Sequence, residues 1–455
     1  MVTDNTKSLC PKCLMIIDAK IIKKDNKVYI SKVCKTHGHF KALHPWGNLL
    51  HYETMKRLFN DRLPKARPDG LVININSRCN QNCPFCFAQA NEYEIKEPSI
   101  GEIKEKISGF QGSTIYLSGG EPTLRRDILS IIQEIKKLDY KVYLFTNGKK
   151  LADIEFTHAL KKSGIDLIIL QFETFDEDQC VTLRGERLVA TKLKAIENLK
   201  QVKIPLYLFA MLVKDVNIDQ IEKLIRFTAQ NSKFIKLLNF NPVWDLGRVA
   251  EHKTMNASDI FAEVEKNSTL TTEDFIEGAI FSCYIFEIYR KLVEKGGNKH
   301  PWCEMRCYMI QTKKGLITLR QLVDIKKFNF YLKKISGKLD KNINFKKSRF
   351  LFSLPYHFLI KELLFKKEFK RFVFKIISYF FNSIFKGEFP NFMHLEIFSI
   401  IIGTFHTAFN IDLSLVNTCN LYSDFPGGEN RSSCLRQIFI TEQFKTTKNT
   451  GFDTL

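Results

Sequence analysis

The stretch NSRCNQNCPFCFAQA, Asn76 to Ala90, places three cysteines, Cys79, Cys83 and Cys86, within eight residues. Four thiolates normally close a cubane iron–sulfur cluster. Three on one tight loop hold three irons and leave the fourth open to a ligand from elsewhere. Phe85, just before the last cysteine, is placed to shield one side of such a cluster or to stack against a bound ring. The competing reading, incidental buried thiols, gives no reason for the Cx3Cx2C spacing.

The triplet follows LVININ, the first of six apolar, β-branched runs; the others are TIYLSG, KVYLFT, DLIILQF, PLYLFAMLV and FIKLLNF. Amphipathic stretches such as RRDILSIIQEIKKL and VATKLKAIENLK lie between them. Six strand–helix units in succession predict an α/β fold, a parallel sheet with helical crossovers curled into a partial (βα)6, TIM-like barrel over residues 65–255. On that scaffold chemistry sits at the C-terminal ends of the strands. The triplet ends the first strand, SGGEP (Ser118 to Pro122) the second and FTNG (Phe145 to Gly148) the third.

The chain has 455 residues, enough for two or three domains, and 44% are apolar, which suits buried cores. Its start, MVTDNTKSLC, has no charged segment followed by an apolar core, and the run IFSIIIGTF is too short to cross a bilayer. A cytoplasmic protein is expected, with peripheral attachment at the inner membrane face as an alternative. In a reducing compartment its twelve cysteines are not a disulfide framework, and their short spacings point to metal.

Within residues 1–60, CPKC (Cys10, Cys13) and CKTHGHF (Cys34, His37, His39) flank a hairpin-like AKIIKKDNKVYISKV. Cys10, Cys13, Cys34 and His37 supply three sulfurs and a nitrogen, a set that suits zinc and also holds iron. His39 is an alternative fourth ligand. After residue 256 the strand–helix alternation stops, and residues 256–455 are expected to form a mainly α C-terminal domain. There Cys303, Cys307, Cys419 and Cys434 form a candidate auxiliary [4Fe-4S] set, while Cys180 and Cys283 read as ordinary buried residues.

Lys and Arg outnumber Asp and Glu by 69 to 49. Such a surplus favours anionic partners in general, and a base composition that enriches Lys, Phe, Ile and Asn together produces it equally well. Residues 326–389 hold 16 basic and 4 acidic side chains. The part from about 336 to 390 reads as an amphipathic, basic, Phe-rich insert, either a membrane-surface helix or a buried helix with a solvated face.

The triplet followed by SGGEP resembles the radical S-adenosylmethionine (SAM) superfamily. That resemblance implies a [4Fe-4S] cluster on Cys79, Cys83 and Cys86, whose open iron binds SAM and whose electron cleaves it to a 5′-deoxyadenosyl radical. It implies SAM contacts from Phe85, Gly119, Gly120, Glu121, Pro122 and Asn147, with Glu173 facing the ribose and Arg184 the SAM carboxylate. It also implies a low-potential electron donor such as a ferredoxin or flavodoxin. The order of motifs, including NFNPVWDLGR, PWC and FHTAFNIDLSLVNTC, resembles the branch containing archaeal tetraether lipid synthase and a radical methyltransferase of the methanopterin pathway.

Within that branch the expected substrate is apolar or lipid-like, joined carbon to carbon or methylated, with an anionic membrane surface as a candidate partner. Alternatives are RNA, a peptide or a pterin-like small molecule. No RNA-binding module is recognisable, so nucleic acid is not an expected partner. A reading of another class is a non-catalytic iron–sulfur relay or nucleic-acid-binding protein, against which SGGEP argues.

Overall fold

The structure is a computed structural model that describes residues 2–60, 69–243, 246–248, 255–293, 304–312, 315–341, 397–416, 421–424 and 430–450. Four antiparallel strands open the chain in sequential order: β1 (Val2–Leu9), β2 (Ile16–Lys24), β3 (Lys27–Cys34) and β4 (Gly38–Asn48). β2 and β3 form the expected hairpin. Asp25 and Asn26 both adopt positive φ, 51° and 56°, the geometry whose twist matches a two-residue hairpin turn. Helix α1 (Leu49–Asn60) leads away from this ribbon.

Six parallel strands follow: β5 (Gly70–Asn74), β6 (Thr114–Ser118), β7 (Lys141–Thr146), β8 (Leu167–Gln171), β9 (Leu206–Leu212) and β10 (Ile235–Pro242). All six lie on the apolar runs of the sequence. Between them run α2 (Ile100–Ile107), α3 (Ile128–Lys136), α4 (Ile154–Lys162), α5 (Glu177–Arg184), α6 (Val189–Val202) and α7 (Ile221–Gln230). Short polar side chains start them. Ser99 and Glu102 cap α2 reciprocally, and the Asp153 and Asp176 carboxylates accept from the first free N–H groups of α4 and α5.

Strand alternation sorts the side chains by face. Ile115 and Leu117 pair in register with Val142 and Leu144, and this outer face joins Ile128, Ile131, Ile132 and Ile135 of α3 in one buried core. The inner face carries Tyr116, Tyr143, Phe145, Gln171, Tyr207, Phe209 and Asn239 instead, aligned through the same registers. A wall of aromatic and amide groups therefore surrounds the lumen.

Past residue 256 the chain has the expected helices, α8 (Ala257–Asn267), α9 (Thr272–Val293), α10 (Leu319–Leu322), α11 (Ile325–Lys341), α12 (Leu413–Val416) and α13 (Ser433–Thr450). Among the described residues it also gives five strands to the barrel sheet. β11 (Glu304–Thr312), β12 (Gly315–Thr318) and β13 (Ile397–Gly403) extend it beyond β10; β14 (Leu421–Asp424) and β15 (Asn430–Ser432) extend it beyond β5. β13 is the IFSIIIG run. Its unbroken apolar character belongs to a strand covered on both faces, parallel to β10 and antiparallel to β11.

The ribbon docks on the loop between β13 and α12. Thr6 Oγ1 donates to Asp412 Oδ1 at 2.6 Å, Ser8 Oγ to the Ile411 carbonyl at 2.6 Å, and Lys32 Nζ to the Ala408 carbonyl at 2.6 Å. Burial brings the Lys32 amine down to about 8. No helix among the described residues is long and apolar enough to cross a membrane. The basic insert lies outside the described residues from 342 onward.

Gly278 sets the approach of α9 to β11. A Cβ there would meet the Arg306 carbonyl at 2.0 Å, a backbone atom that cannot swing aside. Gly278→Ala is expected to cost about 1–3 kcal/mol of stability by overpacking. A lowered urea midpoint checks this; an unchanged midpoint contradicts the close approach.

Candidate active site and metal centre

In the ribbon, Cys10 and Cys13 sit on the turn after β1, Cys34 ends β3 and His37 lies on the turn between β3 and β4. Their ligand atoms all lie within 4.8 Å of one another. Cys13 Sγ is 3.9 Å from Cys34 Sγ, and His37 Nδ1 is 3.5 Å from Cys34 Sγ and 3.6 Å from Cys10 Sγ. A tetrahedral ion with metal–sulfur bonds of about 2.3 Å separates its sulfurs by about 3.8 Å, so the set fits a zinc-sized ion. The Thr36 backbone N–H directed at Cys34 brings that thiol down to about 6, toward the thiolate a metal needs. His39 lies 2.8 Å from Ser31 Oγ, away from the four.

The cysteine triplet lies at the C-terminal end of β5, on a loop with no regular secondary structure. Backbone N–H groups point at its sulfurs: Ala90 N–H donates to Cys86 Sγ at 3.4 Å, and Gln81 N–H faces Cys79. Without an ion, burial pushes Cys79 up to about 12 and raises Cys86. Half-buried thiols given amide donors suit ligation to iron, which removes their protons and takes up the charge.

Arg248 holds this loop from behind. Its guanidinium donates to Asn82 Oδ1 at 2.6 Å, the Cys83 carbonyl at 2.9 Å, the Ala90 carbonyl at 2.8 Å and Glu92 Oε1 at 2.6 Å. Its backbone pairs with that of Cys86 in both directions, at 3.0 and 2.9 Å. Asn91 pins the front, accepting from Cys79 N–H at 2.8 Å and donating to the Cys79 and Gln81 carbonyls. Arg248 ends the NFNPVWDLGR segment, and its grip on the loop was not legible there, because nothing local ties it to residues 82–92.

Gly119 and Gly120 receive the loop. Added Cβ atoms would meet the Asn76 carbonyl at 2.1 Å and the Arg78 carbonyl at 2.2 Å, and Gly119 has φ +136°. Gly120 N–H donates to the Asn76 carbonyl at 3.0 Å and Glu121 N–H to the Arg78 carbonyl at 2.8 Å. The two glycines thus admit the cysteine loop's own backbone.

Glu121 follows them beyond the end of β6. Its buried carboxylate accepts from Thr123 N–H (3.0 Å), Thr123 Oγ1 (2.6 Å), Thr146 Oγ1 (2.8 Å) and Asn147 N–H (2.7 Å). It ties the end of β6 to the end of β7. Pro122, buried, starts the short 3-10 turn that presents Thr123. Asn147 stays at the cluster loop, donating to Asn80 Oδ1 at 2.8 Å with Cys79 Sγ at 3.8 Å.

Glu173 and Arg184 pair with each other, and Lys192 Nζ lies 3.4 Å from Glu173 Oε2. All three are at most 2% exposed. Burial alone would raise the Glu173 carboxyl, but the two cations hold it below its ordinary value. Arg184 donates to the Phe85 carbonyl at 3.2 Å and contacts Cys83, so it faces the cysteine loop. Phe85 packs in an apolar cluster with Leu183, Val213 and Val243 and anchors the loop to β9 and α5.

Of the candidate auxiliary set, two members are described. Cys303 and Cys419 lie outside the described residues. Cys307 is on the outer face of β11, in the apolar core with its Sγ 3.5 Å from Met309 Sδ, while Cys434 begins α13 beside β14, at the other end of the sheet. Cys180 is a core residue as expected, and Cys283 is half-buried.

Residues 73–228 match the radical SAM superfamily, and residues 2–44 match the HMPTM N-terminal zinc ribbon domain. The 7,8-dihydro-6-hydroxymethylpterin dimethyltransferase of Methanocaldococcus jannaschii is 32% identical over 367 residues, 71% of each chain. A probable GTP 3',8-cyclase of Thermoplasma volcanium is 30% identical over 175 residues, 37% of this chain and 53% of that protein. Among solved structures, Streptococcus suis SuiB bound to S-adenosylmethionine aligns with a TM-score of 0.40 and 22% identity, over 47% of this chain and 50% of that one.

Two outcomes follow from the geometry. His37→Ala should lower the bound ribbon metal well below one per chain while His39→Ala leaves it unchanged, by elemental analysis; the reverse order would assign the ligand to His39. Arg248→Ala leaves four acceptors of the cysteine loop without their donor, and iron retained after anaerobic reconstitution should fall at least severalfold. Full iron content would mean that the loop holds its shape unaided.

Proposed function

The chain belongs to the radical SAM superfamily, and on that footing we propose that it methylates a pterin by radical chemistry. It is an enzyme that uses a [4Fe-4S] cluster and SAM, with a metal site besides in its ribbon. Cys79, Cys83 and Cys86 would hold the cluster. Bound there, cluster and SAM supply the reductive cleavage that gives this superfamily its hydrogen-abstracting radical. The electron comes from a low-potential donor of the ferredoxin or flavodoxin class.

The observation that carries the pterin reading is the breadth of one likeness. The dimethyltransferase resembles this chain over 71% of each, whereas the cyclase resembles 37% of it. The names of both relatives specify bicyclic nitrogen heterocycles, a dihydropterin and GTP. A flat polar ring of that kind suits the lumen, where Tyr116, Tyr143 and Tyr207 lie edge to face with centroids 5.2 and 6.3 Å apart.

The same wall disfavours the expected lipid substrate. An alkyl chain filling the lumen would bury phenol and amide groups against hydrocarbon, at a cost of about 1–3 kcal/mol for each one left unpaired. The chain's own residues position and enclose the reaction: Arg248 and the two glycines fix the cysteine loop over the strand ends, Glu121 couples β6 to β7, and the aromatic wall holds the substrate ring and excludes water.

The test is anaerobic incubation of reconstituted protein with SAM, dithionite and 6-hydroxymethyl-7,8-dihydropterin. Mass spectrometry should find 5′-deoxyadenosine together with a pterin heavier by one or two CH2 units, and Cys83→Ala should yield neither. Release of 5′-deoxyadenosine with the pterin unchanged would overturn the substrate reading.

A further inference from the structure

β11 and β13 come from residues 304–312 and 397–403, beyond the 73–228 matched by the superfamily, yet they line the same lumen. Register sets their inward residues. Arg306 lies opposite Ile401, which is level with Asn239 of β10, and Glu304 lies opposite Gly403 at the end nearer the cysteine loop. A Cβ on Gly403 would meet Asn241 Oδ1 at 2.7 Å and Asn239 Oδ1 at 3.3 Å, so this glycine makes room for two amides.

Within that space Arg306 Nη2 donates to Glu304 Oε1 at 2.9 Å and Nη1 to Ser399 Oγ at 3.3 Å, while the guanidinium lies 5.9 Å from the Tyr308 ring centroid. The register runs from Arg306 through Ile401 and Asn239 to Phe209 on the aromatic wall. Two polar atoms there are buried and meet no hydrogen-bond partner among the described residues: Arg306 Nε and Asn239 Oδ1. Asn239 is 9% exposed. A buried donor and a buried acceptor left open beside an ion pair are costly unless a ligand completes them.

We propose that Glu304, Arg306 and Asn239 form the recognition edge for the substrate ring and read its 2-amino-4-oxo face. Arg306 donates to the ring oxo oxygen, and the Glu304 carboxylate and Asn239 Oδ1 accept from the ring N–H and the exocyclic amine. A carboxylate accepts from both adjacent N–H groups of such a ring, and a guanidinium is donor only, which gives the site its polarity. The inference rests on the pterin reading and adds the residues that select the ring.

The experiment is an anaerobic fluorescence titration of the reconstituted protein with 6-hydroxymethylpterin and with 6-hydroxymethyllumazine, in which an oxo group replaces the 2-amino group. The natural chain should bind the pterin at least tenfold more tightly than the lumazine. Glu304→Gln should weaken pterin binding about ten- to hundredfold, the effect of a lost charge-assisted hydrogen bond, and collapse the preference between the two rings. Because a lone change leaves a buried charge, Glu304→Met with Arg306→Met is the second variant. It should also lose the preference while keeping the iron content of the natural chain after reconstitution. A natural chain that binds neither ring would overturn the pterin reading and the edge with it. A natural chain that prefers the pterin, with both variants keeping that preference, would overturn the edge alone.

Discussion

The cysteine loop is held by backbone contacts from two directions. On one side the Asn76 and Arg78 carbonyls accept from Gly120 and Glu121 N–H, a fit that any Cβ at positions 119 or 120 would break. On the other, Cys86 pairs strand-like with Arg248, whose guanidinium collects two carbonyls and two side chains of the same loop. The connection that carries it, residues 75–99 between β5 and α2, has no helix or strand of its own and would otherwise sample many shapes. Three sulfurs can meet a cluster as a preformed set only if that freedom is removed beforehand.

The rest of the molecule extends from that clamp. The 3-10 turn after Gly120 carries Thr123, which with Thr146 and Asn147 surrounds the Glu121 carboxylate, so the ends of β6 and β7 are fixed to each other and to the cysteine loop. Gln437 of α13 reaches the Phe87 carbonyl, and Phe405 packs on Phe87 with ring centroids 5.0 Å apart. Phe405 begins the segment whose residues 408–412 receive the ribbon. The ribbon's metal knuckles and the cysteine loop are thereby linked through one C-terminal segment, although the sequence places them at opposite ends of the chain.

What was legible in the sequence follows from what is local. Six apolar runs gave six strands because each buries its outer face under a helix in the same way, and a Cx3Cx2C at a strand end carries its chemistry in its spacing. Asp25-Asn26 declared its own turn. IFSIIIG was read only as too short for a membrane, although an unbroken β-branched run also describes a strand covered on both faces. The motifs mark Glu121 and Phe85, but their partners within the chain, Thr146 and Asn147 for one and Leu183, Val213 and Val243 for the other, come from neighbouring elements that no local pattern names. Arg248, Arg306 and Asn239 act across more than sixty residues of sequence, and no local pattern marks them.

The central claim is that the three thiols carry a cluster whose open iron takes SAM. Electron paramagnetic resonance of the reconstituted, dithionite-reduced protein tests it directly, with SAM carrying 15N at its amino group and 17O at its carboxylate. The account predicts that SAM shifts the reduced-cluster signal and that hyperfine coupling to both labels appears. An intact reduced cluster whose signal is unmoved by SAM, with no coupling to either label, would contradict it.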